Sequence, residues 1–322
     1  MHGLTTDPTL EAPERYFTLE SYEGGVARWC PACGDHAVLS AVQKICRDAQ
    51  VPTEKLVAVS GIGCSSRFPH YMHAYGFHGL HGRALPVACG VKARRPDLHV
   101  WVATGDGDCC SIGAGHWIHA ARYNMDMTVM LFDNRIYGLT KKQTSPTSPV
   151  GLVTNTHPAG AWLPPLDVLQ TTLGFTNISF VARTVDWNPL HLYRTLQAAY
   201  EHRGFSFVHI LQRCPAFTEG VFEELRANPD LTLLLTHERG IPADPAVERL
   251  YRNRLEHDPA DLGRARELAA TTERLPIGLF YRNPEAPRYE TFTEAGLGMT
   301  ADEKVANLER ELDRFAICGR PP

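Results

Sequence analysis

Residues 99–108 read HVWVATGDGD and residues 127–139 read MTVMLFDNRIYGL. Each begins as a short, near-continuous apolar run and stops on small or acidic residues, the pattern of a strand buried on both faces. Similar runs stand at LVAVSG (56–61), ISFVAR (178–183) and SFVHILQ (206–212). Between them lie stretches of helical period: HAVLSAVQKICRDA (36–49), CSIGAGHWIHAARYN (110–124) and PLHLYRTLQAAYEH (189–202). Alternation of this kind over residues 35–215 predicts an α/β fold, a parallel sheet with helices on both faces. Ligands in such a sheet bind at the carboxyl ends of the strands.

The remaining sequence is bounded by its bulk properties. A chain of 322 residues has ample length for a large core, so neither metal nor disulfide is needed merely to fold it. Hydrophobic content of 43% and a formal charge of −4 are those of an ordinary globular protein, with no sign of nucleic-acid binding. The first residues lack the basic and apolar regions of a secretory signal, and no apolar run is long enough to span a membrane, so a cytoplasmic protein is expected. Nine cysteines in a reducing compartment are then metal ligands or small core residues; Cys46 and Cys89 lie in apolar helical patterns and read as packing. Residues 1–28 read as an N-terminal arm and 29–228 as the main domain. Residues 229–322, which mix charge, proline and short helices, read as an extension that wraps the core or contacts a partner. Its final amphipathic stretch, ADEKVANLERELDRFA, is expected to pack on a surface.

Chemistry concentrates at the expected strand ends. Asp106 emerges from the first run between two glycines that allow backbone amides to approach a phosphate, ahead of a helix terminus that favours an anion. Asn134 ends the second run 28 residues later, and adjacent strands would bring the two together as hard oxygen ligands for Mg²⁺ that also hold a diphosphate. The plainer reading is two unrelated polar strand ends. WCPACG (29–34) pairs Cys30 with Cys33, SGIGCSSR (60–67) delivers Cys64 to the same edge, and LQRCP (211–215) delivers Cys214. Four such cysteines suit structural zinc or an iron-sulfur cluster; single ligands scattered around a cofactor edge favour a [4Fe-4S] cluster, and buried, unliganded cysteines are the alternative.

The pair GDG and DNRIYG resembles the thiamine diphosphate fingerprint, and WCPACGDH, SGIGCSSR, YGFHGLHGRALPVACGVK, GDGDCCSIGAGH, DNRIYGLTKKQTSPTSP and QRCP together resemble the β subunit of 2-oxoacid:ferredoxin oxidoreductases, in particular those acting on 2-oxoglutarate. The motifs span residues 29 to about 215, and LPIGLFYRNPEAPRYE resembles the family's C-terminal part. The resemblance implies a thiamine diphosphate-binding fold holding the diphosphate end of the cofactor, Mg²⁺ and one [4Fe-4S] cluster. It implies Cys30, Cys33, Cys64 and Cys214 as cluster ligands, and Asp106, Asn134 and the Ile136 carbonyl as Mg²⁺ ligands. Ile62, Gly63, Cys64, Ser65, His81, Gly107, Asp108, Gly138 and Leu139 match the stretches that contact thiamine diphosphate. The implied reaction is the oxidative decarboxylation of 2-oxoglutarate with coenzyme A, giving succinyl-CoA, CO₂ and reduced ferredoxin, or its reverse in carbon fixation. An α subunit would carry the activating glutamate, in an expected α₂β₂ assembly.

Arg67 and Lys141 lie beside these motifs, where their charge would bind a substrate carboxylate, arginine bidentately. A structural ion pair or phosphate contact is the bland alternative for each, and Arg83 is a weaker candidate. Departures from the family pattern are Ala32, Cys109 and Cys110, where glycine or smaller residues are expected, and Lys142, where TKKQ replaces TKGQ. Cys109 and Cys110 read as packing or as oxygen-sensitive thiols. His70, His73, His78 and His81 raise a second metal site against the simpler reading of a loop packed around the cofactor. Pyruvate or a broad 2-oxoacid range is the rival within the class. A non-redox thiamine-dependent decarboxylase and a metal-binding electron-transfer module are the rivals outside it.

Overall fold

The computed structural model describes residues 16–238, 240–242, 244–294 and 300–315. Helix α1 (Asp35–Asp48) leads to strand β1 (Leu56–Ser60), followed by β2 (Tyr75–His78) and α2 (Ala84–Arg94). Then come β3 (His99–Gly105), α3 (Ala114–Tyr123) and β4 (Met127–Asp133), and, after a long connection, α4 (Val168–Leu173), β5 (Phe180–Val185), α5 (Pro189–Glu201) and β6 (Phe205–Leu211). The chain continues through α6 (Glu223–Ala227), β7 (Thr232–Thr236), α7 (Pro245–Leu250), β8 (Arg254–Glu256), α8 (Leu262–Ala269), β9 (Leu275–Arg282), α9 (Tyr289–Glu294) and α10 (Ala301–Asp313). The strands form one sheet in the order β2-β1-β3-β4-β6-β5-β9-β7-β8. From β2 to β5 every pairing is parallel, and β9 runs antiparallel to β5.

Alternate residues of each central strand feed two cores. Val57, Val102, Val129 and Leu131 face α2, α3, α4 and α8, which bury Leu85, Trp117, Leu169 and Leu268. Ala58, Trp101, Met130 and Val208 face the other way, onto α1 and α5, which bury Val42, Ile45, Leu192 and Leu196. Both faces are therefore covered, the reason the strands read as continuous apolar runs. Cys46 is fully buried in the second core, while Cys109 and Cys110 are buried in the first, so all three pack as apolar residues.

Three differences from the sequence reading have physical causes. Strand β5 begins at Phe180 rather than 178, because Ser179 is occupied by bonds to Asn124 and by the backbone N–H of Asn283. Strand β2 escapes periodicity because all four of its residues are exposed at the sheet edge. Residues 229–294 join the sheet itself, through β7, β8 and β9, instead of only lying over it. Pro276 and Gly278 obscure β9 in the sequence. Gly278 sits beside the register shift in the β5–β9 pairing at φ 120°, where an added Cβ would stand 3.0 Å from the Leu235 carbonyl oxygen. No helix among the described residues is long and apolar enough to cross a membrane. Helix α10, expected to pack on a surface, leaves Val305, Leu308 and Leu312 exposed.

Candidate functional site

Strands β1, β3, β4 and β6 are parallel neighbours, so Ser60, Gly105, Asp133 and Leu211 end on one edge of the sheet. A cleft there is lined by Ile62, Gly63, Cys64 and Ser65 after β1, by His81 before α2, by Asp106, Gly107 and Asp108 after β3, and by Asn134, Ile136, Gly138 and Leu139 after β4. All twelve residues assigned from the sequence to thiamine diphosphate or Mg²⁺ thus meet in one place. Arg67, Lys141 and Arg83 are not among the residues that line it. Arg67 is half-buried with its guanidinium 5.9 Å from the Tyr71 ring centroid, and Lys141 is exposed at the turn beyond the cleft.

The cleft is built for close backbone approach. Gly63 adopts φ 140° and a Cβ there would face open space, so the loop presents bare backbone to whatever occupies the cleft. At Gly107 a Cβ would stand 2.2 Å from the Tyr137 ring, which lies over that glycine and donates its hydroxyl to the Gly107 carbonyl at 2.9 Å. Asp108 has a role that the sequence did not show. Its Oδ1 accepts from the Ile62 N–H at 3.1 Å and the Gly82 N–H at 2.8 Å and lies 3.0 Å from His81 Nδ1, while Oδ2 accepts from Thr104 at 2.6 Å. One buried carboxylate therefore ties three loops of the cleft together.

Asp106 lies at the centre of a second network. Its Oδ2 accepts from the Ser145 and Thr147 hydroxyls, and Thr147 Oγ1 also stands 2.8 Å from Asp133 Oδ1. Asp133 Oδ2 in turn lies 2.8 Å from His209 Nε2, and Arg183 donates to His209 Nδ1 at 3.3 Å. Burial, followed by the charge of Asp133, pushes the Asp106 carboxyl up to about 7. Burial acts on Asp133 in the same direction, but the His209 hydrogen bond and nearby positive charge hold that carboxyl below its ordinary value. Ser145, Thr147 and Ser148 come from TSPTSP, a stretch whose residues carry no individual signal in the sequence; Ser148 bonds the Arg135 carbonyl at 2.6 Å and so fixes the turn after β4. Asp106, Asn134 Oδ1 and the Ile136 carbonyl are a hard oxygen set of the type Mg²⁺ takes, close to glycines able to receive a diphosphate.

The cysteines gather behind this cleft. Cys33 N donates to the Cys30 carbonyl at 3.1 Å, closing the CPACG turn. Gly34 N donates to the carbonyl of Arg213 at 3.2 Å, which brings the turn beside Cys214, and Trp29 Nε1 donates to the Cys64 carbonyl at 2.6 Å. Burial, then the charge of Asp35 and the neighbouring Cys214 and Cys30 thiols, pushes Cys64 up to about 12. Cys33 is raised by the same means, with Cys64 and Cys214 among its neighbours. Gln212 Nε2 donates to Cys33 Sγ at 3.3 Å. Cys64 belongs to both places: it lines the cleft and sits with the thiols behind it. Among the described residues no three His, Cys, Asp or Glu side chains stand close enough to hold a single metal ion. His78 is occupied with the Ser66 carbonyl and Ser60, and His81 with Asp108.

Two of the departures from the family pattern sit where the backbone favours glycine: Ala32 at φ 63° and Lys142 at φ 65°.

Residues 61–210 match the family described as thiamine pyrophosphate enzyme, C-terminal TPP binding domain, and residues 247–295 match the C-terminal family of the pyruvate ferredoxin oxidoreductase beta subunit. The chain is 47% identical over 219 residues to the 2-oxoglutarate oxidoreductase subunit KorB of Mycobacterium tuberculosis, covering 68% of this chain and 58% of that one, less than two thirds of the relative's length. It is 36% identical over 267 residues to the 2-oxoacid:ferredoxin oxidoreductase subunit beta of Saccharolobus solfataricus, covering 81% and 84%. A solved structure of 2-oxoglutarate:ferredoxin oxidoreductase from Magnetococcus marinus with 2-oxoglutarate, coenzyme A and succinyl-CoA bound is similar at a TM-score of 0.75 and 36% identity, over 91% of this chain and 96% of that one.

Proposed function

The chain belongs to the β subunits of the 2-oxoacid:ferredoxin oxidoreductases, and within that family we propose that it forms, with an α subunit, an enzyme that converts 2-oxoglutarate and coenzyme A to succinyl-CoA and CO₂ while reducing ferredoxin, or runs the reverse carboxylation. The observation that carries this reading is Cys64, which joins a cleft suited to a metal-bound diphosphate to a group of four cysteines.

Asp106, Asn134 Oδ1 and the Ile136 carbonyl would hold Mg²⁺, and the loops around Gly63 and Gly107 would receive the diphosphate. Thiamine diphosphate supplies an electron sink for the carbon that loses CO₂. The chain's own contribution is positional. Asp108 fixes the three loops that shape the cleft, Ser145 and Thr147 aim the Asp106 carboxylate, and Tyr137 holds the Gly107 turn.

Cys30, Cys33, Cys64 and Cys214 would hold a [4Fe-4S] cluster. The support for this is that the four thiols are neighbours, Cys64 feeling Cys30 and Cys214, and Cys33 feeling Cys64 and Cys214, as a four-cysteine cluster requires of its ligands. Burial makes bare thiolates at Cys33 and Cys64 unfavourable, and the positive charge of bound iron would offset that cost. Arg67, half-buried beside Tyr71, and Lys141, exposed at the turn beyond the cleft, remain the proposed carboxylate-binding residues.

Acceptance of pyruvate or several 2-oxoacids is the second reading, favoured by the C-terminal match to the pyruvate-acting family. Competition between 2-oxoglutarate and pyruvate on the assembled complex decides between them. Preference for pyruvate would contradict the role given to Arg67 and Lys141.

A further inference from the structure

A groove of about 740 Å³ runs between α1 and α5, starting one helical turn beyond Cys33. Ala37, Ala41 and Lys44 are spaced to lie along one stripe of α1, which faces Leu190, Tyr193 and Arg194 of α5. The floor is apolar and its rim carries Lys44, Arg47 and Arg194. Asp48, the only acid on the rim, is already taken: Arg47 pairs with it at 2.6 Å and the Tyr193 hydroxyl donates to it. Lys44 and Arg194 form no ion pair among the described residues. The chain as a whole is acidic, at −4, so this concentration of positive charge does not follow from bulk composition. Cys30, five residues before the start of α1, is exposed, so the proposed cluster would come near the surface at the N-terminal end of the helix that forms one wall of the groove.

We propose that this groove docks the electron acceptor, a small acidic one-electron carrier protein, with its acidic surface on Lys44 and Arg194 and its redox centre toward Cys30. The proposal rests on the redox reading above and extends it to the partner's docking face. The transfer would balance between the two centres alone: the carrier's oxidised centre would gain the one electron given up by a reduced cluster held on Cys30, Cys33, Cys64 and Cys214. Charged rims around an apolar patch steer such encounters and fix orientation, raising the on-rate more than the affinity.

The test uses the complete complex with its α subunit and compares wild type with the Lys44→Glu/Arg194→Glu double variant. Two acceptors are supplied: a purified acidic [4Fe-4S] ferredoxin, and methyl viologen, a small cation that needs no docking face. The expected result is a loss of about tenfold or more in kcat/KM for ferredoxin at low salt, a flattened dependence on ionic strength, and methyl viologen reduction unchanged. Unchanged ferredoxin kcat/KM with methyl viologen activity intact would overturn the docking site. Loss of the α subunit from the variant would also overturn it, by showing that the groove is a subunit interface. A wild-type complex that reduces neither acceptor would remove the redox reading itself and the docking proposal with it.

Discussion

Gln212 donates its carboxamide N–H to the sulfur of Cys33 across 3.3 Å, and its other N–H contact is the Arg213 carbonyl. Both neighbours accept, so the amide must present nitrogen rather than oxygen to them. Hydrogen bonds to cluster sulfurs stabilise the more negatively charged, reduced state. Gln212→Leu should therefore lower the midpoint potential of the proposed cluster by tens of millivolts, on the order of 1 kcal/mol of lost differential hydrogen bonding. An EPR-monitored redox titration of the variant complex reads this directly; a potential equal to wild type would dismiss the bond's role.

Thr147 stands between two buried carboxylates, 2.6 Å from Asp106 and 2.8 Å from Asp133. Replacing its hydroxyl with a methyl in Thr147→Val keeps the volume but leaves the carboxylates facing each other without the hydroxyl between them. The loss should be about 1–3 kcal/mol of stability and a weaker, more Mg²⁺-demanding binding of thiamine diphosphate. Calorimetry across a Mg²⁺ series measures the second effect, and unaltered binding would show that Thr147 does not aim Asp106.

Ala32 and Lys142 hold left-handed backbone at φ 63° and 65°. Glycine at either position removes the steric cost of the Cβ and gives back part of it as unfolded-state entropy, for a net gain of about 1 kcal/mol or less. Denaturant unfolding of Ala32→Gly and Lys142→Gly should show higher midpoints with unchanged slopes; lower midpoints would mean the side chains contribute more than their backbone costs.

Burial holds His191 and His202 down to about 4, below the ordinary histidine value of 6.5. Their folded-state pKa values are depressed, so the unfolded chain binds more protons between about 6.5 and 4. The stability they permit is complete above pH 6.5 and is lost as pH falls toward 4. Unfolding free energies at pH 7 and pH 5 should differ in that direction, with a smaller difference in His202→Asn; equal slopes in variant and wild type would clear His202 of the effect.

The central strands were readable because burial on both faces leaves an unbroken apolar run, and the cleft was readable because its glycines, Asp106 and Asn134 follow those runs directly. Strand β2 was not, since an exposed edge strand has no apolar pattern, and β9 hides behind Pro276 and Gly278. Among the site residues, the bracing role of Asp108 depends on contacts with Ile62, His81, Gly82 and Thr104 that cross several loops. The bridge from Asp106 through Thr147 and Asp133 to His209 likewise joins residues far apart in sequence. Residue types announced the chemistry, whereas the supporting hydrogen bonds became visible only in three dimensions.

The most direct test is anaerobic purification of the chain with its co-expressed α subunit, followed by iron, zinc and sulfide analysis and EPR after dithionite reduction. About four irons and four sulfides per chain, with a reduced-cluster signal abolished by Cys214→Ala, is the predicted result. Stoichiometric zinc without sulfide would contradict it and make the four cysteines a structural site beside a non-redox thiamine centre.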